Sequence, residues 1–155
     1  MNRAINILLV EDNEGDIVLT LEAFKEARIH NNVDVVKDGE KAIQFLKKEG
    51  QYQNAFTPDL VLLDINLPRI DGKEVLTFIK NDDNLKKIPV VMLTTSDSEK
   101  DILESYLRHA NCYITKPVGF ENFMKVVMTI KDFWISIVQL PKTPASNPLT
   151  RISED

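Results

Sequence analysis

Cysteine is almost missing from this chain: Cys112 is the only one in 155 residues. One thiol excludes an intrachain disulfide framework and any multi-cysteine zinc site, which makes a reducing compartment the better reading. Long apolar runs are missing as well. The run that follows the first four residues, Ile5 to Val10, stops at Glu11-Asp12, too short for a signal-peptide core or a membrane span. A cationic surplus is also lacking, since 19 Lys+Arg face 24 Asp+Glu for a formal charge of -5. That balance argues against a general nucleic-acid or anionic-membrane binder, which needs positive surface to displace counterions. There is no G-x-x-x-x-G-K-[ST] string, so nucleotide hydrolysis is disfavoured. A soluble, cytoplasmic protein with neither nucleic acid nor membrane as partner is expected.

What the chain does have is an average globular make-up, 43% hydrophobic and 28% charged, in a length that suits about one domain. Four short runs rich in β-branched residues stand out: Ile5 to Val10, Val33 to Val36, Leu60 to Leu63 and Val90 to Leu93. Cys112-Tyr113-Ile114 is a weaker fifth. Continuous apolarity over four to six residues suits strands buried on both faces, as in a parallel sheet. Between them lie helical spacings at Val18, Leu21 and Phe24; at Ala42, Ile43, Phe45 and Leu46; at Val75, Leu76 and Ile79; and at Ile102, Leu103, Tyr106 and Leu107. Five alternations of strand and helix predict a doubly wound α/β fold with a parallel sheet and helices on both faces. Asp38-Gly39, Asp71-Gly72 and Lys116-Pro117 fall between the periodic segments and read as turns.

The last helix is predicted from Phe120 to about Leu140, and its apolar residues spread over about 240° of the wheel at roughly 100° per residue. Packing on one side of a sheet needs a stripe only somewhat wider than about 100°. Either the polar tail folds back over the excess or a partner covers it, and a second copy of this chain is the sharper reading. Phe123, Val127, Phe133 and Trp134 are the interface candidates. Residues 1–140 are read as the domain and 141–155 as a flexible tail.

Function in a parallel α/β sheet collects beyond the carboxyl ends of the strands. Glu11-Asp12 closes the first strand and Asp64 the third. If those strands are neighbours, three carboxylates converge and repel one another unless a divalent cation compensates them. All-oxygen donors suit a hard ion, and Mg2+ fits best. Thr94-Thr95-Ser96 ends the fourth strand with hydroxyls, and Lys116 after the fifth adds an ammonium. Together they describe a phosphoryl-transfer pocket. Taken alone, Asp64 could equally be a helix cap, and Thr94 to Asp97 a capping cluster.

The stretches LLVEDN (Leu8 to Asn13), LVLLDINLPRIDG (Leu60 to Gly72), VVMLTTS (Val90 to Ser96) and CYITKPV (Cys112 to Val118) resemble the receiver domain of two-component response regulators. The resemblance implies a flavodoxin-like receiver fold with sheet order 2-1-3-4-5. It implies that Asp64 accepts a phosphoryl group from a sensor histidine kinase, that Asp12 binds Mg2+ directly, that Glu11 holds metal-bound water and that the carbonyl of Asn66 completes the ligands. Thr94 would bond the acyl phosphate and Lys116 would pair with it, beside a cis bond to Pro117. Thr94 and Tyr113 would form the switch, and Asn66 and Ser96 would tune dephosphorylation. Such a chain signals by phosphorylation-dependent protein contact and is not an enzyme in the ordinary sense.

NLKKIPVVMLTTS and the ending FWISIVQLP resemble the single-domain phytochrome-associated regulators, which implies a light-sensing kinase as partner and a homodimer through the last helix region. The alternatives are a pseudo-receiver that dimerises without phosphorylation and a phosphatase of the haloacid dehalogenase type. The phosphatase would place its nucleophile after the first strand, with a second Asp where this chain has Asn66.

Overall fold

In a computed structural model, residues 4–28, 30–94, 112–115 and 120–138 are described. Five parallel strands lie in the order β2-β1-β3-β4-β5, as expected: β1 Ile5–Val10, β2 Asn31–Val36, β3 Leu60–Asp64, β4 Val90–Thr94 and β5 Cys112–Thr115. The helices are α1 Glu14–Glu26, α2 Gly39–Lys47, α3 Gly72–Asn81 and α4 Phe120–Val138. The helical spacing at Ile102 to Leu107 lies outside the described residues, as does the tail 141–155.

Alternation along the strands builds two cores. Leu8, Val10, Val61, Leu63, Val90 and Met92 point to one face and meet Phe45, Leu46, Val75, Leu76 and Ile79 of α2 and α3. Ile5, Ile7, Leu9, Leu60, Leu62, Val91 and Leu93 point to the other and meet Ile17 and Phe24 of α1 with Phe123 and Val127 of α4. Helices on both sides explain why β3 reads as an apolar run from Leu60 to Leu63 and β1 as one interrupted only at Asn6. β2 is an edge strand with an alternating, half-exposed pattern, so its polar first residues, Asn31 and Asn32, escape a search for apolar runs even though they pair with Ile5 and Asn6.

Helix starts are set by side-chain caps. Asn13 accepts the Asp16 N–H at 2.9 Å, Asp38 the Lys41 N–H at 2.7 Å and Asp71 the Glu74 N–H at 3.0 Å. Each such cap contributes about 1 kcal/mol. The two Asp-Gly pairs are therefore more than turns: each is a cap followed by the first residue of a helix. At the far end of α1, the Lys131 ammonium from α4 donates to the Ala27 carbonyl at 3.0 Å. Among the described residues, no helix is long and apolar enough to cross a membrane.

The predicted inner face of α1 differs from the observed one. Ile17, Thr20, Ala23 and Phe24 are buried, while Val18 and Leu21 are 57% and 38% exposed. Thr20 can sit inside because its hydroxyl donates to the Asp16 carbonyl at 2.8 Å, which removes the cost of burying a polar group.

Candidate functional site

The register brings the acidic residues together. Val10 pairs with Leu63 where β1 and β3 run side by side, so the next residues along, Glu11 and Asp64, are neighbours at the carboxyl ends of the two strands. Asp12 follows at once, and one carboxylate oxygen from each of Glu11, Asp12 and Asp64 lies within 4.8 Å of the others. Glu11 and Asp64 are only 1% and 3% exposed, whereas Asp12 faces solvent. Ionised carboxylates are costly to bury and almost always need compensation by charge or hydrogen bonds. Some of it comes from the main chain, since the Asn13 N–H donates to Glu11 and the Asn66 N–H to Asp64, each at 3.2 Å. Asp64 caps no helix; Asp71 does that for α3. The capping alternative for Asp64 therefore fails.

Glycine lets the loops close around Asp64. A Cβ on Gly72 would stand 2.1 Å from the Asp64 carbonyl oxygen, and the Gly72 N–H donates to the Ile65 carbonyl at 2.8 Å. The loop after β3 thus folds back over its own strand end. A Cβ on Gly39 would stand 1.8 Å from the Ile70 carbonyl oxygen, so the start of α2 is pressed against the same loop. Ion pairs line the rim. Lys37 contacts Glu14, and Arg69 reaches Asp38 at 3.8 Å and Glu40 at 3.4 Å. None of Gly39, Gly72, Asp38 or Arg69 stood out as functional in the sequence; the two Asp-Gly pairs were the available signal.

Two carboxylates held out of water beside a third in contact with it form an all-oxygen donor set, which fits a hard divalent cation. The main-chain N–H of Ile65 donates to the Leu93 carbonyl at 2.9 Å, and Asp64 pairs with Leu93 across the sheet. Thr94 is therefore one strand away from Asp64, and it pairs in turn with Thr115 of β5. For Thr94 and Tyr113 the strand positions alone are described. Ser96, Lys116 and Pro117 lie outside the described residues.

Residues 7–128 match the response regulator receiver domain. The chain belongs to this family. The receiver is 46% identical over 135 residues to response regulator Rcp1 of Synechocystis sp., a match covering 87% of this chain and 92% of that protein. Among solved structures, the phosphorylated cyanobacterial phytochrome response regulator RcpA superposes with a TM-score of 0.80 at 48% identity, covering 90% of this chain and 100% of the other. The Mn2+-bound form of Rcp1 superposes with a TM-score of 0.78 at 45% identity, covering 88% and 99%.

The last helix modifies one expectation. Phe123 and Val127 are 4% and 0% exposed within the single chain, packed on β1, β3 and β4 from the α1 side. As interface candidates they are corrected: they belong to the receiver's own core, because they occupy the stripe that any sheet-packed helix must bury. The side chains of Phe133 and Trp134 lie outside the described residues.

Proposed function

We propose that this receiver is a phosphoacceptor whose nucleophile is Asp64, with Mg2+ held by Glu11, Asp12, Asp64 and the carbonyl of Asn66. The observation that carries the proposal is the gathering of three carboxylates, two of them buried, at the carboxyl ends of adjacent parallel strands. When bound, Mg2+ supplies charge neutralisation for the carboxylates and for the phosphoryl oxygens. Asp64 does the rest of the first step itself. Its carboxylate oxygen attacks the phosphorus of a kinase phosphohistidine, the bond from phosphorus to nitrogen breaks, and the imidazole keeps the electron pair. The product is an aspartyl phosphate. Thr94 and Lys116 are assigned to hold its oxygens, Asn66 and Ser96 to tune its hydrolysis, and Tyr113 to move with Thr94 as the packing changes. That switch is a shift of population between two arrangements, biased by the new charge.

The cognate partner proposed is a sensor histidine kinase of phytochrome type, on the likeness to RcpA and Rcp1. Intact-protein mass spectrometry after incubation with acetyl phosphate and Mg2+ tests the site. A gain of one phosphoryl group is expected, prevented by EDTA and abolished in Asp64→Asn. An unchanged mass in the wild type would overturn the assignment in favour of a non-phosphorylated pseudo-receiver.

A homodimer through the α4 region belongs to the same reading. Its support is apolar surface beyond the inward stripe, since Met128 is 39% exposed and Met124 only partly buried. Sedimentation is expected to show a dimer that Trp134→Glu weakens; monomers in both proteins would sink this part.

A further inference from the structure

Three residues other than glycine have positive φ among the described residues, and two of them, Arg28 and Lys48, stand at the ends of α1 and α2. Such positions commonly turn left-handed to finish a helix. Arg69, with φ of 69°, ends no helix. It lies in the middle of the loop between β3 and α3, where a left-handed arginine persists only if its surroundings hold it there. Its guanidinium supplies the means. Nε faces Asp38 at 3.8 Å and Nη1 faces Glu40 at 3.4 Å, so one planar fork spans two carboxylates from two of its separate nitrogens.

Asp38 is itself fixed, because its other oxygen caps α2. One residue further along each partner, the main chains touch, with Gly39 against the Ile70 carbonyl. The outer half of the loop, Arg69 and Ile70, is therefore pinned to the start of α2. The inner half is tied to the site, through the Asn66 N–H on Asp64 and through the Leu67 N–H donating to the Ile65 carbonyl at 3.1 Å.

We infer that Arg69 is a positioning residue for the divalent cation: by pairing with Asp38 and Glu40 it holds the loop turn that sets the Asn66 carbonyl in place. This rests on the cation site proposed above. It makes the first turn of α2, which contributes no ligand, a part of the metal site's scaffold. Because Arg69 is 67% exposed, salt should weaken the hold as it screens the pairs.

The test is Mn2+ binding, followed by the electron paramagnetic resonance of free Mn2+, with thermal unfolding in EDTA measured alongside. At about 0.05 M salt, Arg69→Ala is expected to bind about three- to tenfold more weakly than the wild type, and Glu40→Gln about twofold more weakly. At about 0.5 M salt the wild type and Arg69→Ala should come within about twofold of each other. A role confined to general stability would lower the unfolding midpoint in EDTA and leave no salt-dependent gap in affinity. Should Arg69→Ala fail to fold, Arg69→Gln removes the charge while keeping a side chain of similar length and the same backbone demand, and the same loss is expected of it. Equal affinities at low salt, or a gap that salt does not shrink, would overturn the inference. A wild type that binds no Mn2+ overturns the cation site as well; one that binds while the variants match it overturns only the role of Arg69.

Discussion

The carboxyl edge of the sheet is crowded, with main chain pressed on main chain, while the amino edge is slack. At the first, Gly39 and Gly72 leave no room for even a methyl group, and Glu11 and Asp64 are shut away from water. At the second, Gly50 has φ of 57° with nothing within 4 Å of where a Cβ would stand. There an open groove of about 420 Å³ lies among Leu46, Lys47, Lys48, Thr57, Asp82, Asn84 and Leu85. Both edges join the same strands and helices. The difference shows where position matters, since placing a nucleophile within an ångström governs rate far more than closing a connection does.

Gly72→Ala should break the contrast hardest. The added carbon would overlap the Asp64 carbonyl oxygen at 2.1 Å and the Ile65 Cα at 2.7 Å, all main chain, so the loop or the strand end must move. A loss of about 3 kcal/mol is expected by urea unfolding, at the upper end for overpacking. Phosphorylation by acetyl phosphate should slow about tenfold or more, as Asp64 shifts relative to its neighbours. A variant with normal rate and stability would show that the crowding is incidental.

Much of this architecture was legible in the residues. β1 runs from Ile5 to Val10 as read, because burial on both faces leaves an apolar signature that only Asn6 interrupts. The acid pair and Asp64 were legible because strand ends in a parallel sheet share one edge, and the order of strands follows from the family resemblance. The helix phase of α1 was not. Val18 and Leu21 look like core by type, yet Ile17 and Phe24 set the inward direction, and Thr20 satisfies itself within the helix. Nor was the bracing of the β3–α3 loop, since Arg69 and Glu40 meet across 29 positions of chain and no local pattern records that meeting.

A smaller effect is expected at Lys80, on the slack edge. Its ammonium donates to the carbonyls of Lys86 and Ile88 at 2.9 and 2.8 Å, closing the connection between α3 and β4. Lys80→Met should cost about 1 kcal/mol, the net worth of such bonds when partly exposed. Burial lowers the pKa of Lys80 from 10.5, so the folded state binds this proton less tightly than the unfolded chain. Below the folded value both states hold the proton and the cost of burying the charge is fully present. As pH rises from there toward 10.5 the cost disappears, and the wild type should gain stability relative to Lys80→Met. Unfolding midpoints for the two proteins that move in parallel through that alkaline window would contradict the assignment.

The mildest change expected is that of Gly50→Asn, which alters the same residue type as Gly72→Ala at the opposite edge. Gly50 starts a short 3-10 turn and has a left-handed backbone. Asparagine tolerates that conformation better than other residues with a side chain, and open space receives its atoms. Stability should stay within about 0.5 kcal/mol of the wild type, and phosphorylation should be unchanged, since the substitution lies at the edge opposite Asp64. If Gly50→Asn instead slowed phosphorylation as Gly72→Ala does, the two edges would be mechanically coupled through α2, whose capped start presses on the site loop and whose end leads directly to Gly50.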